Sequence, residues 1–154
     1  VCNADCSSDD LFTIDRQQVC NRCLFGDESP VTIYPIGIIK NDLERDDSAF
    51  GRTGTGKISR IELLPSQAQF MTGLDEERDL TVVYYLHQSR SVKTVFNRGL
   101  DGKRVGVFAS RTPDRLSRIG IQDVRLLEIT GTTLIVKGLD AVNGTPVLDI
   151  KLKI

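Results

Sequence analysis

The chain has 154 residues, 40% of them hydrophobic and 27% charged, which suits one domain with a sizeable core and excludes the weakly hydrophobic, highly charged regime of disorder. Its 20 basic and 21 acidic residues give a formal net charge of -1, so no molecule-wide field attracts nucleic acid or anionic lipid, and any polyanion site must be local. No apolar run approaches the roughly 18 residues of a bilayer span, tryptophan is absent and aromatics make up 6%. The expectation is therefore a cytoplasmic protein with no membrane partner and no extended base-stacking platform.

In chain order, the first feature is a set of four cysteines, Cys2, Cys6, Cys20 and Cys23, spaced C-x3-C and then C-x2-C. Each short pair can wrap one side of a tetrahedral ion, with zinc the leading candidate; four thiolates leave no open position, so such a metal would be structural. An iron–sulfur cluster, two disulfides or redox-active thiols would use the same residues. The polar run Gly26-Asp27-Glu28-Ser29-Pro30 reads as a linker, giving an expected Cys-rich extension over 1–30 and a main domain over 31–154.

Val31 to Lys40 is β-branched and apolar, and predicts the first barrel strand, at an edge or bulge because of Pro35 and Gly37. Asn41 to Gly56 predicts a long polar loop. Lys57 to Leu64 resumes a strand that Pro65 ends, and Ser66 to Leu74 predicts a helical turn with Ala68, Phe70 and Met71 inward. Leu80 to His87 is the clearest strand, nearly continuously β-branched or aromatic. Arg104 to Ser110, Val124 to Thr130, Thr133 to Leu139 and Val147 to Ile154 complete the set, with turns at Gly131 and Asn143-Gly144. No long amphipathic helix is present. The pattern predicts an all-β fold: a small closed or partly open barrel with long loops.

Three stretches and one histidine draw attention as sites. Gly51 to Ile58 has the G-x-x-x-x-G-K frame of a phosphate-binding loop, but Ile58 stands where a magnesium-binding hydroxyl is required and a strand follows where that motif needs a helix. His87 is the only histidine; at a strand end it serves either as a backbone cap or as a rigidly held proton acceptor. The run Gly106-Val-Phe-Ala-Ser-Arg-Thr-Pro-Asp-Arg-Leu-Ser-Arg-Ile-Gly120 sets Arg111, Arg115 and Arg118 in one loop. These guanidiniums are either solvated or balanced by an anionic ligand. Its companion is Gly138-Leu-Asp-Ala-Val-Asn-Gly-Thr-Pro-Val-Leu-Asp149, where Asp140 stands ready to accept from an amino group.

The blocks GVFASRTPDR…IG and GLDAVNGTPVLDI, together with Tyr34-Pro-Ile-Gly-Ile-Ile, Met71-Thr-Gly-Leu and Leu80 to His87, resemble the TrmO family across most of 31–154. The resemblance implies a β-barrel methyltransferase that uses S-adenosylmethionine and works as a homodimer, with N6 of the modified adenosine 37 of tRNA as acceptor. It implies that Phe108, Ala109, Ser110, Arg111, Arg115, Ser117 and Ile119 form one wall of the donor site and Asp140, Thr145, Pro146 and Val147 the other. His87 matches the histidine at the end of the central apolar strand. Arg115-Leu-Ser-Arg-Ile-Gly120 departs from the family's R-P-N-P-I-G by losing both prolines and the asparagine. The four-cysteine extension is not a usual family feature either. These departures keep open a small-molecule, cofactor or other RNA acceptor, and a noncatalytic S-adenosylmethionine-binding module.

Overall fold

The computed structural model describes residues 10–44, 56–89 and 91–154. In chain order the strands are β1 (Leu11–Ile14), β2 (Gln17–Cys20), β3 (Gly37–Lys40), β4 (Ile58–Leu63), β5 (Asp79–Tyr85), β6 (Val95–Asn97), β7 (Arg104–Gly106), β8 (Ile119–Thr130), β9 (Thr133–Lys137) and β10 (Pro146–Leu152), with one short helix, α1 (Asn21–Phe25). They fall into two compact units. One comprises the described parts of Val1–Thr32 and Gln88–Arg118, the other those of Ile33–His87 and Ile119–Ile154.

The second unit is a closed, antiparallel, six-stranded barrel in the order β10-β3-β4-β9-β8-β5. Closure removes the open edges that would otherwise invite pairing with another chain. Its interior follows from the period-2 alternation of each strand: Ile39 from β3, Ile61 and Leu63 from β4, Leu80 and Val82 from β5, and Leu134 and Val136 from β9 turn inward and are buried. Val147 of β10 and Leu139, just past β9, complete the core at 0% exposure. The all-β barrel expected from the strand pattern is therefore the fold.

Several boundaries differ from expectation for local reasons. Residues 31–36 are not a strand, and 31–35 are exposed. Pro35 has no N–H for a ladder, and backbone bonding begins one residue later, with Ile36 N–H to Val147 O and Leu64 N–H to Ile36 O, so β3 runs between β10 and β4 rather than at an edge. Strand β8 begins five residues before the expected Val124, because Gly120 and Gln122 interrupt the apolar pattern without interrupting the pairing with β5. The turn after Pro65 is a 3₁₀ helix over Pro65–Phe70, followed by another over Leu74–Glu76. Met71 packs against the core as expected, whereas Ala68 and Phe70 are exposed. Most of the loop expected over Asn41 to Gly56 lies outside the described residues.

The first unit contains two small hairpins, β1–β2 and β6–β7; β7 opens the strand expected over Arg104 to Ser110, which gives way to a 3₁₀ turn at Val107–Ala109, while β1, β2 and β6 alternate too weakly to be read from sequence. The β1–β2 turn places Asp15 and Arg16 at φ of 47° and 69°, the positive values that a two-residue hairpin turn demands. Asp15 N–H donates to Val92 O at 2.9 Å, and Val92 N–H to Thr13 O at 3.0 Å. The Asp15 carboxylate accepts from the hydroxyl and the backbone N–H of Thr94. These bonds join the amino-terminal hairpin to the segment after residue 88 within one unit. Phe12 and Phe25 meet edge to face with ring centroids 5.5 Å apart.

Candidate functional site

The expected site residues divide between the two units. In the barrel unit, the segment from Gly138 to Val147 is pinned from several sides. Gln122 of β8 brackets its start: the side-chain amide donates to Gly138 O at 2.7 Å, and its oxygen accepts from Asp140 N–H at 3.1 Å. The Tyr84 hydroxyl donates to Asp140 O at 3.4 Å, so both backbone groups of Asp140 are held while its side chain projects from a fixed point.

Asn41, just past β3, holds the middle of the segment. Its amide nitrogen donates to Ala141 O at 2.8 Å and to the Ser59 hydroxyl at 3.0 Å, and its side-chain oxygen accepts from Leu43 N–H at 3.0 Å. Backbone bonds complete the seam. Asn143 N–H donates to Leu43 O, Gly144 N–H to Ile39 O, and Ile39 N–H to Thr145 O. Gly144 sits at φ of 81°, which only glycine adopts without cost. Asn41, Gln122 and Tyr84 thus fix this wall; the sequence reading left Asn41 and Gln122 unassigned. The contacts join residues up to 102 positions apart, beyond the reach of any local pattern.

His87 lies two residues past the end of β5, its N–H bonded to Tyr85 O at 2.8 Å. Its ring is half-buried, with Nδ1 3.4 Å from the Thr145 hydroxyl, and that hydroxyl lies 2.7 Å from Val142 O. Thr145 is 2% exposed and Val147 is fully buried, so the Val147 side chain belongs to the core, and its carbonyl accepts from Ile36 N–H at 2.8 Å. Asp140 and Pro146 are half-buried, and Ile119 is exposed at the start of β8. Among the expected residues of this unit, the fold brings the His87 and Thr145 side chains into contact.

In the other unit, the loop from Val107 to Arg115 is wrapped around its own carbonyls. Val107–Ala109 forms a 3₁₀ turn, and the Ser110 hydroxyl donates back to Val107 O at 2.8 Å. Arg115 closes the loop, with Nε donating to Thr112 O at 2.9 Å and Nη2 to Ser110 O at 2.6 Å. Lys93 pairs with Asp114 at 2.9 Å, and the buried Ser89 donates to Pro113 O at 3.0 Å. Phe108 is 85% exposed, and Ala109, Arg111 and Ser117 are exposed as well. The neighbouring turn is clamped by two bonds from Arg98 to Asp101, at 3.0 and 2.6 Å. The Arg98 hydrogen bond holds the Asp101 carboxyl below the usual carboxylate range.

The Cys20 sulfur accepts from Cys23 N–H at 3.4 Å and caps α1. Cys20 is buried and Cys23 exposed. Cys2 and Cys6 lie outside the described residues, and among the described residues no group of three or more metal-ligating side chains occurs. The phosphate-loop frame fares as its chemistry predicted: Ile58 opens β4 rather than a helix, while Gly51 to Thr55 lie outside the described residues. A groove of about 360 Å³ lined by Lys40, Asn41, Asp42, Ile58, Arg60 and Asn143 contains none of the expected site residues.

The profile of the tRNA-methyltransferase O N-terminal domain family matches residues 49–153. The chain belongs to this TrmO family. It is 37% identical over 123 residues to a probable S-adenosyl-L-methionine-binding protein of Methanothermobacter thermautotrophicus, covering 79% of this chain and 88% of that protein. A tRNA (adenine(37)-N6)-methyltransferase of Mus musculus is 32% identical over 84 residues, 53% of this chain and 20% of that protein. The crystal structure of TrmO from Pseudomonas aeruginosa superimposes with a TM-score of 0.66 at 27% identity, covering 82% of this chain and 57% of that one. This chain thus spans a little over half of that TrmO. Both TrmO-like blocks, Gly106 to Gly120 and Gly138 to Asp149, lie inside the matched range. No helix among the described residues is long and apolar enough to cross a membrane.

Proposed function

We propose that this chain, as a TrmO-family protein, is an S-adenosylmethionine-dependent methyltransferase whose acceptor is an adenine N6 in tRNA. The observation that carries the reading is the family match over residues 49–153, which takes in both site blocks. The chemistry of the residues fits such a donor. An exposed aromatic ring, Phe108, suits an adenine face, and the Arg111 guanidinium of the same loop suits a carboxylate. The donor, when bound, supplies an electrophilic sulfonium methyl.

The chain's own task is then to hold the acceptor in line and take up its proton, and positioning accounts for much of the rate. We assign His87 to orient the acceptor nitrogen or receive its proton. A local basic field supports an RNA acceptor despite the net charge of -1. Over 88–118 the only acidic residues are Asp101 and Asp114, against a larger number of lysines and arginines. A homodimer fits the outward apolar pairs Val83–Ile121 and Tyr85–Ile119 on adjacent strands.

The test is transfer of labelled methyl from S-adenosylmethionine to bulk tRNA and, separately, to a small-molecule extract. Label on tRNA that maps to N6 of an adenosine is the expected result. Label confined to the extract overturns the tRNA acceptor. Tight donor binding with no transfer to either fraction favours the noncatalytic binding module, a reading in keeping with the name of the Methanothermobacter relative.

A further inference from the structure

We propose that Thr145 is a positioning residue that sets the tautomer of His87, placing the proton on Nδ1 and leaving Nε2 as the acceptor nitrogen. This rests on the reading that His87 serves the methyl acceptor.

The argument is one of proton counting. A threonine hydroxyl has one proton and two lone pairs. The Thr145 oxygen lies 2.7 Å from Val142 O and 3.4 Å from His87 Nδ1. Val142 O has no proton to give, so a 2.7 Å contact between two oxygens is attractive only if the hydroxyl donates to it. The single proton is therefore spent there. What the hydroxyl presents to His87 is a lone pair, and Nδ1 must carry a hydrogen to meet it. In a neutral imidazole only one ring nitrogen is protonated, so Nε2 keeps its lone pair.

Burial makes the arrangement firm. Thr145 is 2% exposed, leaving no water to offer its oxygen a cheap alternative partner. The residue is held from both sides, because its N–H donates to Val142 O at 3.2 Å and its carbonyl accepts from Ile39 N–H at 2.9 Å. The other edge of the imidazole faces Gly144. A Cβ built there would stand 4.0 Å from Nε2, and since residue 144 is glycine, no side chain at that position covers the nitrogen. The ring thus has one edge tied to a buried hydroxyl and the lone-pair edge beside bare backbone, which is the geometry of a base that must accept a proton from a substrate N–H.

Ring-15N-labelled histidine in the whole chain reads the tautomer directly, because His87 is the single histidine. In the neutral form, long-range proton–nitrogen spectra are expected to show Nδ1 protonated in the native chain and in Thr145→Ser. In Thr145→Val, which keeps the shape and loses the hydroxyl, the proton is expected to move to Nε2. A native chain with Nε2 protonated overturns the proposal, as does a folded Thr145→Val that retains Nδ1–H. If the valine variant does not fold, by its backbone amide spectrum, the native spectrum decides alone.

Kinetics separate this claim from the one beneath it. Loss of about 10²-fold in kcat in Thr145→Val is the expected companion of the tautomer shift. A shifted tautomer with kcat intact leaves the Thr145 assignment standing and removes His87 from the chemistry.

Discussion

Gly120 stands opposite Tyr84 in the β5–β8 ladder, and a Cβ built on it would fall inside van der Waals range of three Tyr84 ring carbons. The glycine therefore lets the tyrosine ring lie flat over β8, and from that position the hydroxyl reaches Asp140 O. Gly120→Ala is expected to destabilise the chain by about 1–3 kcal/mol, the usual cost of overpacking, measured by urea unfolding. An unchanged midpoint would show that the ring has room to move and would weaken its role in holding Asp140. At this scale the sequence was only partly informative. His87 stood out because it is unique, yet its partner is 58 residues away. Nothing in the local pattern around Asn41 or Gln122 announced that their amides would bracket the 138–147 segment. Side-chain amides at the ends of strands look alike whether they face water or clamp a loop.

Among the elements, those legible in advance were the ones whose inward faces are apolar at every second residue. β5 and β9 alternate in this way and their burial follows it closely; β4 does so with Ser59 at one inward position, and a bulge between Val147 and Asp149 interrupts the alternation of β10. β2, with the sequence QQVC, and the three-residue β6 lack that signature and owe their existence to pairing partners. The loop from Val107 to Arg115 shows how one side chain orders a stretch without regular pairing: Arg115 ties the loop's carbonyls together with its own donors. Arg115 was expected to face the donor; its Nε and Nη2 are engaged within the loop. Arg115→Ala is accordingly expected to loosen this loop by about 1–3 kcal/mol, seen as faster amide exchange over 107–113. Exchange unchanged in that stretch would show that the carbonyl bonds do not order it.

For the whole molecule, closure of the barrel and family membership rest on independent grounds, strand pairing and the match over 49–153. The fold class was legible because period-2 strands separated by turns, without amphipathic helices, have few other ways to bury their faces. The grouping of 88–118 with the amino-terminal segment was not, since it depends on backbone bonds such as Asp15 to Val92 that carry no composition signal. The central claim is that this chain seats S-adenosylmethionine, and titration calorimetry of the intact chain with that donor tests it most directly. The account predicts saturable binding that Arg111→Ala weakens by about 1.5–3 kcal/mol, the worth of a charged hydrogen bond. A folded chain that gives no saturable binding would contradict it.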